Sequence, residues 1–287
     1  MKHLNLFIEL TRLKKPIGFM LLFWPCAWGL TIASDFKNNF KLYFFYLTLF
    51  FLGSVLMRSA GCIVNDIFDK DLDQKVFRTK NRPIATGEVS IKIGIFYSCI
   101  LCLLAFFILL NFNFLTIILA IGSMPLAFLY PLMKRFTYWP QLFLGITFNY
   151  GLILGYVSVS EKIELGSIIF YLGAIFWTLG YDTIYGFQDV KDDEIIGIKS
   201  TSIKFKTKSN FILKIFYSFF SFSLIIVGII TKLNFFYFLI ILLATSHMFL
   251  FQIKKIDINN SNSCLKMFKS NNFLGLIIFV AVIIGKL

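Results

Sequence analysis

Two short acidic clusters, Asn65-Asp66-Ile67-Phe68-Asp69-Lys70-Asp71-Leu72-Asp73 and Asp189-Val190-Lys191-Asp192-Asp193, interrupt an otherwise oily chain. Together with Glu194 they hold eight of its 15 acidic residues. Crowding like charges costs repulsion unless cations bind among them, so the clusters point to a divalent metal and a polyanionic ligand. Asn65, Asp69 and Asp73 recur every fourth residue. On an α-helix each such step drifts by about 40° and rises by about 6 Å, so the three share one stripe. Asp189 and Asp193 form the same pair. Two facing carboxylate stripes suit Mg²⁺, which takes a few carboxylates plus phosphate oxygens and water rather than an all-protein cage. A diphosphate held there becomes a good leaving group, because metal charge offsets the charge that grows as it departs. By this reading Asp69, Asp73, Asp189 and Asp193 are catalytic, and the same four with Asn65 hold the metal. Asp66, Asp71 and Asp192 are expected to be caps or solvated supports.

Cations complete the expected site. Arg78 and Arg82 lie in Arg78-Thr79-Lys80-Asn81-Arg82-Pro83, just past the first cluster, and Lys191 lies inside the second. Guanidinium forks match phosphate oxygens. Arg58 stands seven residues before Asn65, on the same helical face and inside an apolar run. A charge at that depth is costly and usually functional; it is suited to a diphosphate, to an acceptor carboxylate, or to pairing with a nearby acid. Tyr130-Pro131-Leu132-Met133-Lys134-Arg135 ends another apolar run, where Tyr130 could cap a reaction chamber and Lys134 or Arg135 could reach an anion.

The elements that must position these groups are membrane spans. The chain is 58% hydrophobic and 18% aromatic with a mean hydropathy of +0.79. Apolar stretches long enough to cross a bilayer recur along it, and in lipid only helices satisfy the backbone of such runs economically. Nine spans are expected, at roughly 17–34, 42–64, 93–111, 114–133, 139–158, 165–186, 211–231, 235–253 and 271–286. They form one membrane domain, 1–287, of all-α polytopic architecture. Of the 28 Lys and Arg residues, 22 fall on one side of this topology and five on the other. That bias makes the first side cytoplasmic, with the N-terminus and both acidic clusters there, as in a bacterial inner membrane. The net charge of +13 does not indicate nucleic acid, because the cations sit in short loops between apolar runs. Met1–Pro16 is polar and basic without a small-residue cleavage site, so no cleavable signal is expected. Cys99 and Cys102 form a C-x-x-C on an oily helix, where packing is the expected role.

The clusters fit two motifs, N-D-x-x-D-x-x-x-D at 65–73 and D-x-x-x-D at 189–193, and on them the chain resembles the UbiA-type polyprenyltransferases along nearly its whole length. RLKKPIGFMLLFWPCAW at 12–28, MRSAGCIVND at 57–66, YPLMKRFTYWPQ at 130–141 and YDTIYGFQDVKDDEIIGIKST at 181–201 are most similar to the branch that prenylates 4-hydroxybenzoate in ubiquinone synthesis. The resemblance implies nine helices around a central cavity, opening laterally to the lipid bilayer. It implies Mg²⁺-dependent ionisation of a polyprenyl diphosphate, attack by the aromatic ring ortho to its hydroxyl, and then proton loss; the resemblance does not name the base, for which Asp189 or Asp193 is the expectation. It also makes other quinone-synthesis enzymes candidate neighbours. Two further readings stay open here: the same chemistry on a naphthoate, homogentisate or haem acceptor, and a transporter. Transporter sites lie near the bilayer midplane on broken helices, whereas these carboxylates collect at helix ends on one side.

Overall fold

A computed structural model describes residues 2–35 and 38–287 and is helical throughout, without strands among those residues. Lys37, one of the five minority-side cations, and the Lys2 side chain lie outside the described part. In chain order the helices are α1 (Lys2–Thr11), α2 (Ile17–Ala33), α3 (Phe40–Phe68), α4 (Lys70–Asp73), α5 (Ile91–Leu109), α6 (Phe114–Leu129), α7 (Met133–Phe136), α8 (Pro140–Ser160), α9 (Leu165–Gly186), α10 (Val190–Ile196), α11 (Thr201–Lys204), α12 (Ser209–Ile230), α13 (Phe235–Ser246) and α14 (Ser261–Lys286). A 3₁₀ turn at Tyr130–Leu132 joins α6 to α7, and a π-helical turn at His247–Ile253 extends α13.

Among the described residues, eight helical segments are long and apolar enough to cross a membrane, and α2, with 17 apolar-rich residues, is a shorter ninth. The chain is a multi-pass membrane protein. The expected spans all recur, with longer ends where polar residues continue a helix past the bilayer core. The third helix runs on to Phe68, carrying the first motif, and the last begins at Ser261 rather than near 271.

Small residues set the tightest crossing. A Cβ on Gly29 of α2 would lie 2.0 Å from the Leu152 carbonyl oxygen of α8, and one on Gly155 of α8 would lie 2.2 Å from the Cys26 carbonyl oxygen of α2. Backbone contact of this kind is how membrane helices gain packing energy where no hydrophobic drive operates between them. Around that crossing α2, α8, α9, α12, α13 and α14 pack as a closed circuit, while α3 leans on α2 and carries α5 outside it. Trp28 fills the centre; its ring stacks on Phe170 at 5.4 Å, and its indole N–H donates to the Gly275 carbonyl at 3.0 Å. Phe96, Leu103 and Phe107 of α5 and Phe114 and Ile121 of α6 point outward, as lipid-facing side chains do.

Candidate active site

Both acidic motifs sit where a span stops and a short helix begins. Asp69 follows the last residue of α3 with φ −96° and ψ 4°, and Asp189 precedes α10 with φ −114° and ψ 3°. This sparsely populated backbone region is common at active sites. The four-residue register nonetheless survives each break. Asp69 N–H donates to the Asn65 carbonyl at 2.9 Å, Asp73 N–H to the Asp69 carbonyl at 2.7 Å, and Asp193 N–H to the Asp189 carbonyl at 2.9 Å. The expected stripes therefore form, through bent rather than continuous helices.

Each carboxylate of the two motifs except Asp193 is held by a cation from outside its own motif. Lys134 of α7 pairs with Asp69, Arg82 with Asp73 at 2.7 Å, and Arg78 with Asp189 at 2.5 Å. Asn65 donates its side-chain amide to Asp69 at 2.9 Å. The second guanidinium contact of Arg78 reaches Asp189 Oδ1 at 2.8 Å, and a third reaches the Tyr185 hydroxyl at 3.0 Å. Phe77 N–H donates to Asp192 at 3.2 Å, and Lys199 N–H to the Lys134 carbonyl at 2.9 Å. These ties draw the loop after α4, the α6–α7 corner and the α9–α10 junction into one rim, so the two motifs meet across more than a hundred residues of chain.

Asp193 makes no side-chain hydrogen bond or ion pair among the described residues. Burial, and then repulsion from Asp189, push its carboxyl up to about 6. Burial also raises the Asp73 carboxyl, against the opposing pull of Arg82. Asp193 is thus the motif carboxylate left short of positive charge. Asp69 Oδ1 is buried without a partner, an unsatisfied acceptor of the sort a hard cation would engage. The all-oxygen donor set and this orphaned atom fit Mg²⁺. Among the described residues no three His, Cys, Asp or Glu side chains converge as a ready-made cage, the arrangement in which Mg²⁺ relies on substrate phosphates and water.

Other expectations change. Asp66 is neither a cap nor solvated; it is 2% exposed and takes Arg12 at 2.5 Å and Arg82 at 3.0 Å. Arg12 was not singled out from sequence. Its φ of +55° places a non-glycine residue in the left-handed region, strain that persists where surroundings dictate it; here Asp66 supplies the hold. Arg135 donates to the Phe68 carbonyl at 2.6 Å, capping the end of α3 instead of reaching for a ligand. Lys191 is exposed and pairs with nothing described. Arg58 forms no ion pair with any described acid; its guanidinium lies 5.2 Å from the Phe148 ring centroid, and its Nε is buried without a partner. Tyr130 packs edge-on to the same Phe148 at 6.4 Å, joining Arg58 below the rim. Asp182, a carboxylate inside α9 two turns ahead of Asp189, was also missed; its place on the Asp189 face was the available signal.

Residues 22–277 match the UbiA prenyltransferase family. The chain is 39% identical over 289 residues to a protein of Dictyostelium discoideum named "4-hydroxybenzoate polyprenyltransferase, mitochondrial", covering 98% of this chain but 60% of that relative. It is 38% identical over 292 residues to "4-hydroxybenzoate geranyltransferase 2" of Lithospermum erythrorhizon, covering 100% of this chain and 92% of the relative. Its fold is similar to that of a UbiA homolog from Archaeoglobus fulgidus bound to GPP and Mg²⁺, with a TM-score of 0.72 at 16% identity over 97% of this chain and 99% of the other.

Proposed function

Because the chain belongs to the UbiA prenyltransferase family, we propose that it moves a polyprenyl group from a polyprenyl diphosphate to the ring of 4-hydroxybenzoate, ortho to the hydroxyl, a step of ubiquinone synthesis. The observation that carries this reading is the single rim formed by the two carboxylate motifs with Arg78, Arg82 and Lys134 between them. The names borne by relatives that span most of this chain support the acceptor.

Asn65, Asp69, Asp73, Asp189 and Asp193 would hold Mg²⁺, which when bound supplies Lewis-acid stabilisation to the leaving diphosphate. The chain's own groups do the rest. Arg78, Arg82 and Lys134 exchange their carboxylates for diphosphate oxygens as the substrate enters, a swap between two sets of charge-assisted bonds. Arg58 offers its orphaned Nε to an anion below the rim, and Phe148 and Tyr130 present aromatic faces where positive charge develops on the prenyl carbon. The apolar walls exclude water that would otherwise capture that carbon. The acidic rim faces the cytoplasm of a bacterial inner membrane, on the side where cations predominate.

Membranes containing the protein are expected to prenylate 4-hydroxybenzoate only when Mg²⁺ is supplied. Full activity in an Asp69→Ala, Asp189→Ala double variant would overturn the assignment. Orientation is read from Lys191→Cys, whose thiol should react with an impermeant reagent only from the cytoplasmic face.

A further inference from the structure

Asp182 is a carboxylate within a membrane span that the rim does not use. Its neighbours on α9 are sealed into packing. Tyr181 is bonded by Thr178 at 3.2 Å, and the Thr183 hydroxyl meets that of Thr201 at 2.6 Å. Asp182 itself stays partly accessible and forms no hydrogen bond or ion pair among the described residues. It lies three residues before Tyr185 and seven before Asp189, so the three share one stripe running down from the rim. A structural carboxylate at this depth would be paired, because an unpaired one is costly.

The one strong charge acting on Asp182 is Arg58 of α3. Arg58 stands seven residues before Asn65, as Asp182 does before Asp189, so each motif has one charged residue two turns deeper, and the two are opposite in sign. The two charges sense each other without forming an ion pair, and Arg58 keeps an unpartnered Nε. The Phe148 ring lies 5.2 Å from the Arg58 guanidinium, and Tyr130 packs edge-on to that ring at 6.4 Å. A cation, a carboxylate and aromatic faces thus collect below the rim, the complement of a flat molecule with an anionic group at one end and an acidic hydroxyl at the other.

We propose, resting on the aromatic-acid reading above, that Asp182 binds the acceptor's phenolic hydroxyl and is its proton acceptor. The Asp182 carboxylate takes the O–H proton, and the phenolate oxygen pushes electron density to the ortho carbon. That carbon forms the new C–C bond to prenyl C1 while the C1–O bond breaks, its electron pair leaving with diphosphate. The ring C–H proton then passes to the released diphosphate, and Asp182 returns its own proton to the oxygen as aromaticity is restored. Asp189 and Asp193 are left to the diphosphate end.

The test compares the full-length protein with Asp182→Asn in nanodiscs, supplied with Mg²⁺, geranyl diphosphate and 4-hydroxybenzoate. Geranyl diphosphate binding by calorimetry should stay within about twofold, while kcat/KM for 4-hydroxybenzoate falls by about 10²- to 10⁴-fold. The deficit should shrink along a series of ring-fluorinated acceptors whose phenols are progressively more acidic. An unchanged kcat/KM, a deficit that ignores acceptor acidity, or a folded variant that no longer binds geranyl diphosphate each overturns the role of Asp182 alone. A wild-type protein that prenylates no 4-hydroxybenzoate overturns the acceptor reading and this role with it. If Asp182→Asn does not fold, Asp182→Glu reads the same series: a wild-type dependence on acceptor acidity supports the proton acceptor, and a steeper one overturns it.

Discussion

Arg78 grips Asp189 through two guanidinium nitrogens, Nε at 2.8 Å from Oδ1 and a terminal nitrogen at 2.5 Å from Oδ2, across 111 positions of sequence. That bidentate pair is the direct bridge between the loop after the first motif and the second motif itself. It also places a phosphate-matching guanidinium fork on the rim.

Arg78→Ala removes a rim tie and, on the proposed function, a diphosphate ligand. A charge-assisted bond contributes about 1.5–3 kcal/mol, so KM for the polyprenyl diphosphate should rise by roughly 10- to 100-fold while KM for 4-hydroxybenzoate moves little. Arg78→Lys keeps the charge without the fork and should fall between. Steady-state kinetics with each substrate varied in turn makes the distinction; equal rises in both KM values would point to collapse of the rim.

Asn65 holds the Asp69 carboxylate through its side-chain amide at 2.9 Å, and on the proposed function it thereby also orients a metal ligand. Losing a group that orients a ligand typically costs about 10–100-fold in metal affinity. Asn65→Ala should weaken Mn²⁺ binding, followed by electron paramagnetic resonance, by that factor without altering thermal stability. An unchanged affinity would show that the amide serves only the end of α3.

Asp193 sets a pH dependence. In the metal-free protein its carboxyl titrates at about 6, above the ordinary value of about 4. The sign follows: a raised folded-state value means that Asp193 contributes stability below about pH 4, which is lost as pH rises through about 6. Metal binding requires the ionised form, so Mg²⁺ affinity should climb through pH 6 with release of a proton. Calorimetry in buffers of different ionisation enthalpy should detect that proton near pH 5.5 and little of it at pH 8. In Asp193→Asn the pH-dependent part should shrink, leaving the smaller share that Asp73 contributes.

The crossing of α2 and α8 should tolerate no added carbon. Gly155→Ala places a Cβ against the Cys26 carbonyl at 2.2 Å, and overpacking of this kind costs about 1–3 kcal/mol or more. Gly53→Ala in α3, whose Cβ would meet nothing within 4 Å, should instead stabilise by about 0.5–1 kcal/mol. Thermal unfolding in detergent compares the two, and a tolerant Gly155 would mean the helices can separate without cost.

Much of the molecule is determined by local rules that the bare sequence expresses. A run of apolar residues long enough for a bilayer is helical wherever it falls in the chain, so the nine segments and their order were legible. The four-residue recurrence of Asn65, Asp69 and Asp73 is a property of one helix, and it held even where α3 ends at Asp69. What depended on packing was which distant charges meet. Arg12 and Asp66 are 54 positions apart, and Lys134 and Asp69 are 65 apart; no spacing rule links them. Arg135 and Lys134 are adjacent, yet one caps α3 and the other holds a motif carboxylate. Arg58 and Asp182 stand on different helices, α3 and α9, and no spacing rule links them either. Helical periodicity acts over a turn or two and can be read from residue order, whereas partners brought together by helix crossings exist only once the whole bundle has assembled.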